Sequence, residues 1–289
     1  MKLISYRAID NALQTGIHAG ILQADGQSIL PLAPFGFADA RAFIAASQAA
    51  FTALNAPEKP QSLIPVAQVQ ILAPILNPPR VFAIGLNYQE HAAESKMKVQ
   101  VVPTVFFKLT ASIVGDGAEI VLPTISTQPD YEAELAVVIG KGGFEIKADD
   151  WQDHVFGYTI LNDVSARDIQ LATSQWTLGK SFPTFTPMGP AIVTADEVPD
   201  PHALSIKLSI DGETLQDANT RDLIFRIPAL IEYISAITPL EPGDIISTGT
   251  PQGVGLGRTP QRWLKPGEEV VIEIEKLGTL RNRTTAQKR

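Results

Sequence analysis

Residues 131–140 read Tyr131-Glu132-Ala133-Glu134-Leu135-Ala136-Val137-Val138-Ile139-Gly140, an apolar run that carries two glutamates near its start. The short length, the β-branched residues and the final glycine predict a β-strand. Because side chains alternate along a strand, Glu132 and Glu134 would share one face, opposite an apolar face. Two like charges on so hydrophobic a strand are costly to bury unless a cation neutralises them. The segment therefore indicates either a divalent metal held by oxygen ligands or a solvent-exposed strand face.

The composition is that of a globular protein without thiol chemistry. The chain has 289 residues, of which 45% are hydrophobic and 19% are charged, enough for one large domain with or without a small one. The absence of cysteine excludes disulfides, zinc–thiolate sites and thiol nucleophiles. The formal net charge of −8 provides no basic footprint for nucleic acid.

The sequence shows neither a membrane span nor a secretory signal. No window of about 18 apolar residues appears, as a spanning helix would require. The N-terminus, Met1-Lys2-Leu3-Ile4-Ser5, lacks the basic and hydrophobic regions of a signal peptide. We therefore expect a cytoplasmic protein that binds neither membranes nor nucleic acid.

Proline-rich sequence separates a small first unit from a larger second one. Residues 1–72 are predicted to form strands around Asp25-Gly26 and an alanine-rich helix from Ala38 to Leu54. Residues 75–280 form the larger predicted domain, and the basic end, residues 281–289, is expected to be frayed. The 22 prolines and 21 glycines favour many short strands and turns over a helical bundle.

A histidine and a glutamate follow the predicted strand Val81–Gly85. His91 and Glu94 are three residues apart and would neighbour each other on one face of a short helix. A carboxylate beside an imidazole raises its basicity and fixes its tautomer, as a general base requires. A surface ion pair is the alternative interpretation. The next stretch, Glu94–Val102, has no firm pattern and would suit a mobile lid.

Another acidic residue lies at the end of a second buried strand. Val155–Leu161 is a nearly continuous apolar run that delivers Asn162 and Asp163 at its end. Together with Glu132 and Glu134, Asp163 would complete three oxygen ligands and leave positions open for water and substrate. Such a set fits a hard cation such as Mg²⁺ or Mn²⁺.

Further polar residues follow Asp163 along the chain. Arg167 and Gln170 would share one helix face, where Arg167 would bind an anionic substrate, pair with the metal carboxylates or form a structural ion pair. Lys180 lies in a loop rich in glycine and proline. Its ammonium group would either face a carboxylate or an enolate, or remain solvated.

The last candidate segment begins with a predicted amphipathic helix, Thr220–Ala236. A strand, Ile245–Thr248, follows and presents Gly249 and Thr250. Glycine lets the backbone approach a ligand closely, and the threonine hydroxyl with nearby amides would hold a carboxylate. A purely structural turn is the alternative.

These motifs, in this order, resemble the fumarylacetoacetate hydrolase family over about residues 75–280. The matching pieces are Gly85-Leu86-Asn87-Tyr88 with His91 and Glu94, Glu132-Ala133-Glu134-Leu135, residues 162–168, Gly179-Lys180-Ser181-Phe182 and residues 247–255. The preceding segment resembles the small N-terminal unit of the longer bacterial-type members. The resemblance implies a β-rich α+β fold, a mixed β-roll or sandwich with a few short helices and a small N-terminal α+β domain, assembled as a homodimer.

The resemblance also implies a role for each candidate residue. The metal ligands would be Glu132, Glu134 and Asp163, binding Mg²⁺ or Mn²⁺, which Ca²⁺ could replace in crystals. The catalytic residues would be the water-activating pair on the lid, His91 and Glu94, and Lys180, which contacts the substrate. The remaining candidates match positions that bind the substrate or lie near the metal: Arg167, Gln170, Gly249 and Thr250.

The implied chemistry acts on 2-oxo acids. The fumarylacetoacetate hydrolases proper carry a further aspartate ligand ahead of the lid, and Val81–Tyr88 contains none, which favours the acylpyruvase-like branch. We expect a metal-dependent hydrolase that cleaves a carbon–carbon bond in an acylpyruvate or 2,4-diketo acid and releases pyruvate or a related 2-oxo acid. Alternatives on the same scaffold are oxaloacetate decarboxylation and 2-hydroxymuconate-type isomerisation. A non-catalytic protein that binds 2-oxo acids is the alternative of another class.

Overall fold

The computed structural model describes residues 1–9, 16–54, 62–95, 98 and 100–288, and only the backbone of residues 47–49 and 53. The N-terminal part contains one helix, α1 (Ala40–Leu54), and five strands. These strands are β1 (Lys2–Ala8), β2 (His18–Leu22), β3 (Ser28–Pro31), β4 (Ile64–Pro65) and β5 (Val69–Leu72). The predicted helix therefore forms nearly as expected. Three residues of the predicted lid, 96, 97 and 99, lie outside the described residues.

In the remainder of the described chain, strands far outnumber helices. Its strands up to residue 194 are β6 (Val81–Gly85), β7 (Thr104–Lys108), β8 (Ile113–Val114), β9 (Glu119–Leu122), β10 (Pro129–Asp130), β11 (Ala133–Ile139), β12 (Val155–Asn162), β13 (Ser165–Ala166) and β14 (Thr186–Thr194). Those that follow are β15 (Ser205–Ile210), β16 (Glu213–Asn219), β17 (Ile245–Ser247), β18 (Glu269–Ile274) and β19 (Gly278–Ala286). The α-helices are α2 (Gln89–Glu94), α3 (Arg167–Gln170) and α4 (Ile227–Ser235). The predicted β-rich α+β fold with a few short helices is confirmed.

Two large sheets organise most of these strands, and β10 pairs with β13 in a separate two-stranded sheet. The larger has the order β4-β3-β2-β1-β14-β12-β11-β17-β6-β7, with β5 added beside β1 and β8 beside β14. The smaller has the order β16-β15-β18-β19-β9. Most neighbours are antiparallel, but β17 runs parallel to β6, β19 to β9 and β14 to β8. The arrangement is therefore a mixed one, as expected. Among the described helices, none is long and apolar enough to cross a membrane.

Strand β11 lies near the centre of the larger sheet and is buried along its whole length. One face, with Leu135 and Val137, packs in a core shared with the smaller sheet and α4. The other face, with Ala136 and Val138, packs in a second core shared with α1. A strand covered on both faces needs apolar residues at successive positions, which explains the nearly continuous apolar run.

Strands β1 to β5 extend the larger sheet. Strand β1 pairs antiparallel with β14, with Lys2 opposite Val193 and Leu3 opposite Ile192. Backbone hydrogen bonding therefore continues across the predicted domain boundary. The folding of residues 1–72 as a separate domain stays a prediction, as does the homodimer.

Two local expectations need correction. The helix predicted from Thr220 begins only at Ile227, because Thr220–Asp222 forms a separate 3₁₀ turn and Pro228 occupies the first turn of α4, where no amide donor is required. The C-terminal end is strand rather than frayed tail through Ala286. There β19 is hydrogen-bonded to β18 on one side and β9 on the other, and it buries Asn282 and Thr284.

We expect Ile160→Ala, in the buried strand β12, to lower the free energy of unfolding by about 2–5 kcal/mol, because it removes packed methyl groups and leaves a cavity. The matched control is Ile125→Ala, which makes the same change at a side chain that is 72% exposed and should cost less than about 0.5 kcal/mol. Urea denaturation of both variants measures the difference. Equal losses would contradict the two-faced burial of the central sheet.

Candidate active site

Three carboxylates converge at the end of the β11–β12 pair. The antiparallel register sets Ala133 opposite Asn162, which places the residues on either side of each close together. The Asn162 side chain accepts a hydrogen bond from the Glu132 amide at 3.0 Å, and the Asp163 amide donates to the Glu132 carbonyl at 2.9 Å. As a result, one oxygen from each of Glu132, Glu134 and Asp163 lies within 4.8 Å of the others, and all three residues are buried.

Glu134 carries the least compensated negative charge of the three. Its Oε2 accepts hydrogen bonds from the Ser247 hydroxyl at 2.5 Å and the Gly249 amide at 3.0 Å, both neutral donors. Burial raises the pKa of Glu134 well above its usual range, and the neighbouring Asp163 and Glu132 carboxylates raise it further. The Gly249 amide therefore binds the Glu134 carboxylate of the protein itself. The predicted role of Gly249 was to bind the substrate.

Lys180 is buried between two of these carboxylates. Its Nζ donates to Glu132 Oε2 at 2.6 Å and to Asp163 Oδ2 at 2.8 Å. Burial lowers the pKa of Lys180, but Asp163 and Glu132 raise it by more, so the net shift is upward. The alternative of a solvated lysine is therefore wrong. Gly179 permits this placement, because a Cβ there would lie only 2.4 Å from the Gln170 amide nitrogen.

A second buried lysine was not predicted. Lys108, the last residue of β7, donates from Nζ to Asp163 Oδ1 at 2.6 Å and to the Lys180 carbonyl oxygen. Burial lowers the pKa of Lys108, and the Asp163 carboxylate opposes this shift. The only sequence feature that pointed to Lys108 was its position as a charged residue after the apolar pair Phe106-Phe107. No spacing rule connects Lys108 to Asp163.

Arg167 forms a buried ion-pair network. Its Nη2 donates to Glu132 Oε1 at 2.6 Å, its Nε to Asp130 Oδ2 at 2.8 Å and its Nη1 to Gln170 Oε1 at 2.9 Å. Burial lowers the pKa of Arg167, but Glu132 and Asp130 raise it by more. Arg167 and Gln170 share a helix face as predicted. Among the alternatives for Arg167, the structure shows pairing with carboxylates of the protein, including Asp130, which sequence reasoning missed.

His91 and Glu94 are in direct contact on α2. The His91 Nδ1 and Glu94 Oε1 atoms are 2.9 Å apart, and His91 is buried. Glu94 also accepts the Gly253 amide at 2.9 Å, so it is anchored to a distant loop. A carboxylate at Nδ1 favours the proton there and leaves Nε2 as the basic nitrogen. Gly253 must be glycine, because its φ is +100° and a Cβ would lie 2.1 Å from the Leu215 carbonyl oxygen.

Most of the predicted residues line one pocket. Its polar lining comprises His91, Ser95, Glu132, Glu134, Asp163, Arg167, Gln170, Lys180 and Thr250. Glu94 and Gly249 are not part of this lining. Glu94 contacts the lining residue His91, and the Gly249 amide donates a hydrogen bond to the lining residue Glu134. The Thr250 hydroxyl accepts a hydrogen bond from the buried Gln216 side chain at 2.8 Å, a second partner that sequence reasoning missed.

The donor set fits a hard divalent cation. Within the part of the chain that the structure describes, the buried carboxylates Asp130, Glu132, Glu134 and Asp163 form ion pairs with three buried lysine and arginine side chains, those of Lys108, Arg167 and Lys180. The described cluster therefore carries an excess negative charge when all groups are ionised. The raised pKa of Glu134 indicates that this excess charge lies at Glu134. Carboxylate oxygens are the ligands that Mg²⁺ and Mn²⁺ prefer.

Comparison with known proteins gives matches along nearly the whole chain. The family model for the fumarylacetoacetate (FAA) hydrolase C-terminal domain matches residues 80–285. The protein named oxaloacetate tautomerase Fahd2a, mitochondrial, from Rattus norvegicus is 42% identical over 271 residues, which cover 92% of this chain and 87% of the relative. The crystal structure of a putative HpcE protein from Mycobacterium smegmatis is 36% identical with a TM-score of 0.89, and covers 100% of both chains.

A further similar structure contains a metal. Maleylpyruvate hydrolase from Sphingobium sp. SYK-6, in complex with manganese(II) and pyruvate, is 31% identical with a TM-score of 0.82, and the match covers 100% of both chains. These comparisons and the acidic cluster support a divalent metal, as expected.

The expectation of a cytoplasmic protein is wrong. The Rattus norvegicus relative, oxaloacetate tautomerase Fahd2a, is named as mitochondrial.

We expect Glu134→Gln to stabilise the metal-free protein at neutral pH while abolishing its stabilisation by Mn²⁺. Because the folded-state pKa of Glu134 is raised, its contribution to stability is present below the unfolded pKa of about 4.3 and is lost as pH rises through the folded pKa. Glutamine removes that loss, and its side-chain oxygen can still accept from Ser247 and Gly249. The free energy of unfolding, measured from pH 5 to 8.5 with EDTA, should therefore fall less steeply in the variant.

The control for this experiment is Glu213→Gln, an exposed position on β16. It should keep the pH dependence of the wild type and the full rise in Tm that ligand binding to the folded state produces. A Glu134→Gln protein that kept the wild-type rise in Tm with Mn²⁺ would exclude Glu134 as a ligand.

Proposed function

The chain belongs to the fumarylacetoacetate hydrolase family, and we propose that it is a metal-dependent enzyme that interconverts the enol and keto forms of oxaloacetate. The single observation that carries this proposal is His91, which is oriented by Glu94 and lines the same pocket as three converging carboxylates. The similarity to a protein named oxaloacetate tautomerase supports the choice of reaction and substrate. The expected carbon–carbon hydrolase becomes the second candidate.

Tautomerisation demands little more than a proton carrier and stabilisation of an enolate. Ketonisation removes the proton of the enol hydroxyl and adds one proton to C3. The C2–C3 double bond becomes single as the C2–O bond becomes a carbonyl, and no heavy atom leaves or joins the molecule. His91 Nε2 can accept the first proton and return it to carbon, because Nδ1 is occupied by Glu94. When bound, a divalent cation held by Glu132, Glu134 and Asp163 would supply Lewis-acid stabilisation of charge on the substrate oxygens.

The surrounding groups keep the proton carrier and the anion site in place. Glu94 stabilises the imidazolium form of His91 between the two proton transfers, and the Gly253 amide fixes the Glu94 carboxylate. Lys180 stays protonated between Glu132 and Asp163 and provides positive potential next to the developing enolate. The buried setting strengthens these interactions because little water screens them.

Hydrolysis of an acylpyruvate is the second candidate, and the same histidine favours it. An imidazole oriented by a carboxylate can activate a water for attack on a distal carbonyl. The carbon–carbon bond would then break to give a carboxylic acid and the enolate of a 2-oxo acid, which takes up a proton. The similar maleylpyruvate hydrolase supports this reaction class. Tautomerisation and acylpyruvate hydrolysis both pass through an enolate. They differ in that only hydrolysis consumes a water molecule.

The test is a comparison of three reactions with the Mn²⁺-loaded protein. Loss of the ultraviolet absorbance of enol-oxaloacetate reports tautomerisation, and lactate dehydrogenase coupling reports pyruvate from either decarboxylation or acylpyruvate hydrolysis. We expect metal-dependent loss of the enol, faster than with Mn²⁺ alone, without stoichiometric pyruvate. Pyruvate release from acylpyruvates without accelerated ketonisation would favour the hydrolase. No acceleration of any of these reactions would leave a protein that only binds 2-oxo acids.

We expect His91→Asn to lower kcat for ketonisation by about 10²–10⁴, the usual contribution of a positioned general acid–base. Affinity for Mn²⁺ should stay within about twofold, since His91 is not one of the three converging ligands. Stopped-flow absorbance and calorimetric Mn²⁺ titration measure the two quantities.

Glu90→Gln is the control for this variant, because Glu90 is exposed on the same helix. It should leave both the rate and the metal affinity unchanged. Parallel losses of rate and Mn²⁺ affinity in His91→Asn would instead mean that His91 supports the fold of the site.

A further inference from the structure

An indole ring lines the apolar end of the active-site pocket. Leu86 and Trp176 line this inner pocket and also an outer pocket formed with Val102, Pro103 and Thr104. The Trp176 side chain is only partly buried. The two pockets are therefore adjacent and share these two side chains.

Aromatic contacts link Trp176 to the charged end of the cavity. The Trp176 and Phe106 rings meet edge to face with their centroids 5.5 Å apart. The Lys180 Nζ lies 5.3 Å from the centre of the Phe106 ring. The Phe106 ring thus contacts both the lysine that binds Glu132 and Asp163 and the indole that lines the pocket.

A glycine makes room for this indole. A Cβ built on Gly85 would lie 2.3 Å from Trp176 Cζ3 and 3.1 Å from Cη2, and no non-bonded pair of carbon atoms tolerates the shorter distance. The backbone of Gly85 does not have a positive φ, so an alanine there would meet only this steric conflict. The position of the ring therefore depends on the missing side chain at residue 85.

We propose that Trp176 sets the length of substrate that the cavity accepts and restricts it to compact 2-oxo acids of about the size of oxaloacetate. This inference rests on the proposed function, because it assumes that the substrate's 1-carboxylate and 2-oxo group occupy the charged end. The rest of the substrate then points towards the apolar end, where Trp176 and Leu86 stand. A longer distal group, as in many acylpyruvates, would meet the indole.

Binding of straight-chain 2-oxo acids to the Mn²⁺-loaded protein tests the proposal without any turnover. The probes are 2-oxobutanoate, 2-oxohexanoate and 2-oxooctanoate, titrated by calorimetry. In the wild type the affinity should fall from the shortest to the longest acid. In Trp176→Leu the affinity for 2-oxooctanoate should rise by about tenfold, equivalent to about 1.4 kcal/mol, with a change below about twofold for 2-oxobutanoate. Trp176→Phe should lie between the two.

A double-mutant cycle with Gly85 tests whether the ring itself is responsible. Gly85→Ala must displace the indole and should change the length preference in the wild-type background. In the Trp176→Leu background the same substitution has no ring to displace and should have little further effect. Additive effects of the two substitutions would overturn the proposal.

Trp151→Leu controls for the loss of a tryptophan elsewhere, since Trp151 packs against His202, 5.8 Å between ring centres. It should keep the wild-type length preference. Circular dichroism and Tm measurements check that each variant is folded. If Trp176→Leu does not fold, the affinities of Trp176→Phe for the three acids test the proposal instead. Equal affinity of the wild type for all three acids overturns the role of Trp176 whether or not oxaloacetate is turned over. A clear length preference without oxaloacetate turnover would retain that role and reject the proposed function.

Discussion

The structure depends on a buried cluster of charges that does not balance by itself. Lys180 bridges Glu132 and Asp163, Arg167 bridges Asp130 and Glu132, and Lys108 holds the other Asp163 oxygen. Within the described residues, no lysine or arginine is ion-paired with Glu134. Burying a charge without a partner costs several kcal/mol, on the order expected for an unpaired ion in a protein interior. The fold tolerates this cost at the place where a divalent cation would remove it.

A single loop connects the three parts of the site. Its backbone amides hold three different carboxylates: Gly249 binds Glu134, Gly253 binds Glu94, and Gly255 and Leu256 bind Asp130 at 2.7 and 3.0 Å. Glu134 belongs to the metal cluster, Glu94 orients the histidine, and Asp130 orients Arg167. Backbone amides cannot move independently, so the loop sets the distances among these groups. Its glycines are needed for two reasons. Gly249 and Gly253 have positive φ values of +101° and +100°, and a Cβ on Gly255 would lie 2.0 Å from the Arg262 carbonyl oxygen.

Under the proposed function, the same pocket could serve several reactions of 2-oxo acids, because all of them pass through an enolate. The charged end would stabilise the anion, and His91 would move the proton, whichever bond changes. The space beyond the reacting carbons, and the access of water to it, would distinguish the reactions. Those properties would depend on the apolar end, where Leu86, Phe106 and Trp176 lie, and not on the three carboxylates of the candidate metal site.

Local spacing in the sequence indicated which residues of this site lie close together, and the family resemblance supplied their expected roles. Alternation along β11 placed Glu132 and Glu134 on one face, and helical spacing brought His91 and Glu94 together, because both rules act within a few residues. The sequence also indicated a strand-rich fold. It did not reveal Lys108 or Asp130, whose partners are 55 and 37 residues away, and it left the role of Arg167 open. Only the tertiary structure decided these contacts, because the pairing of distant strands, and not the local chain, determines which charges are buried together.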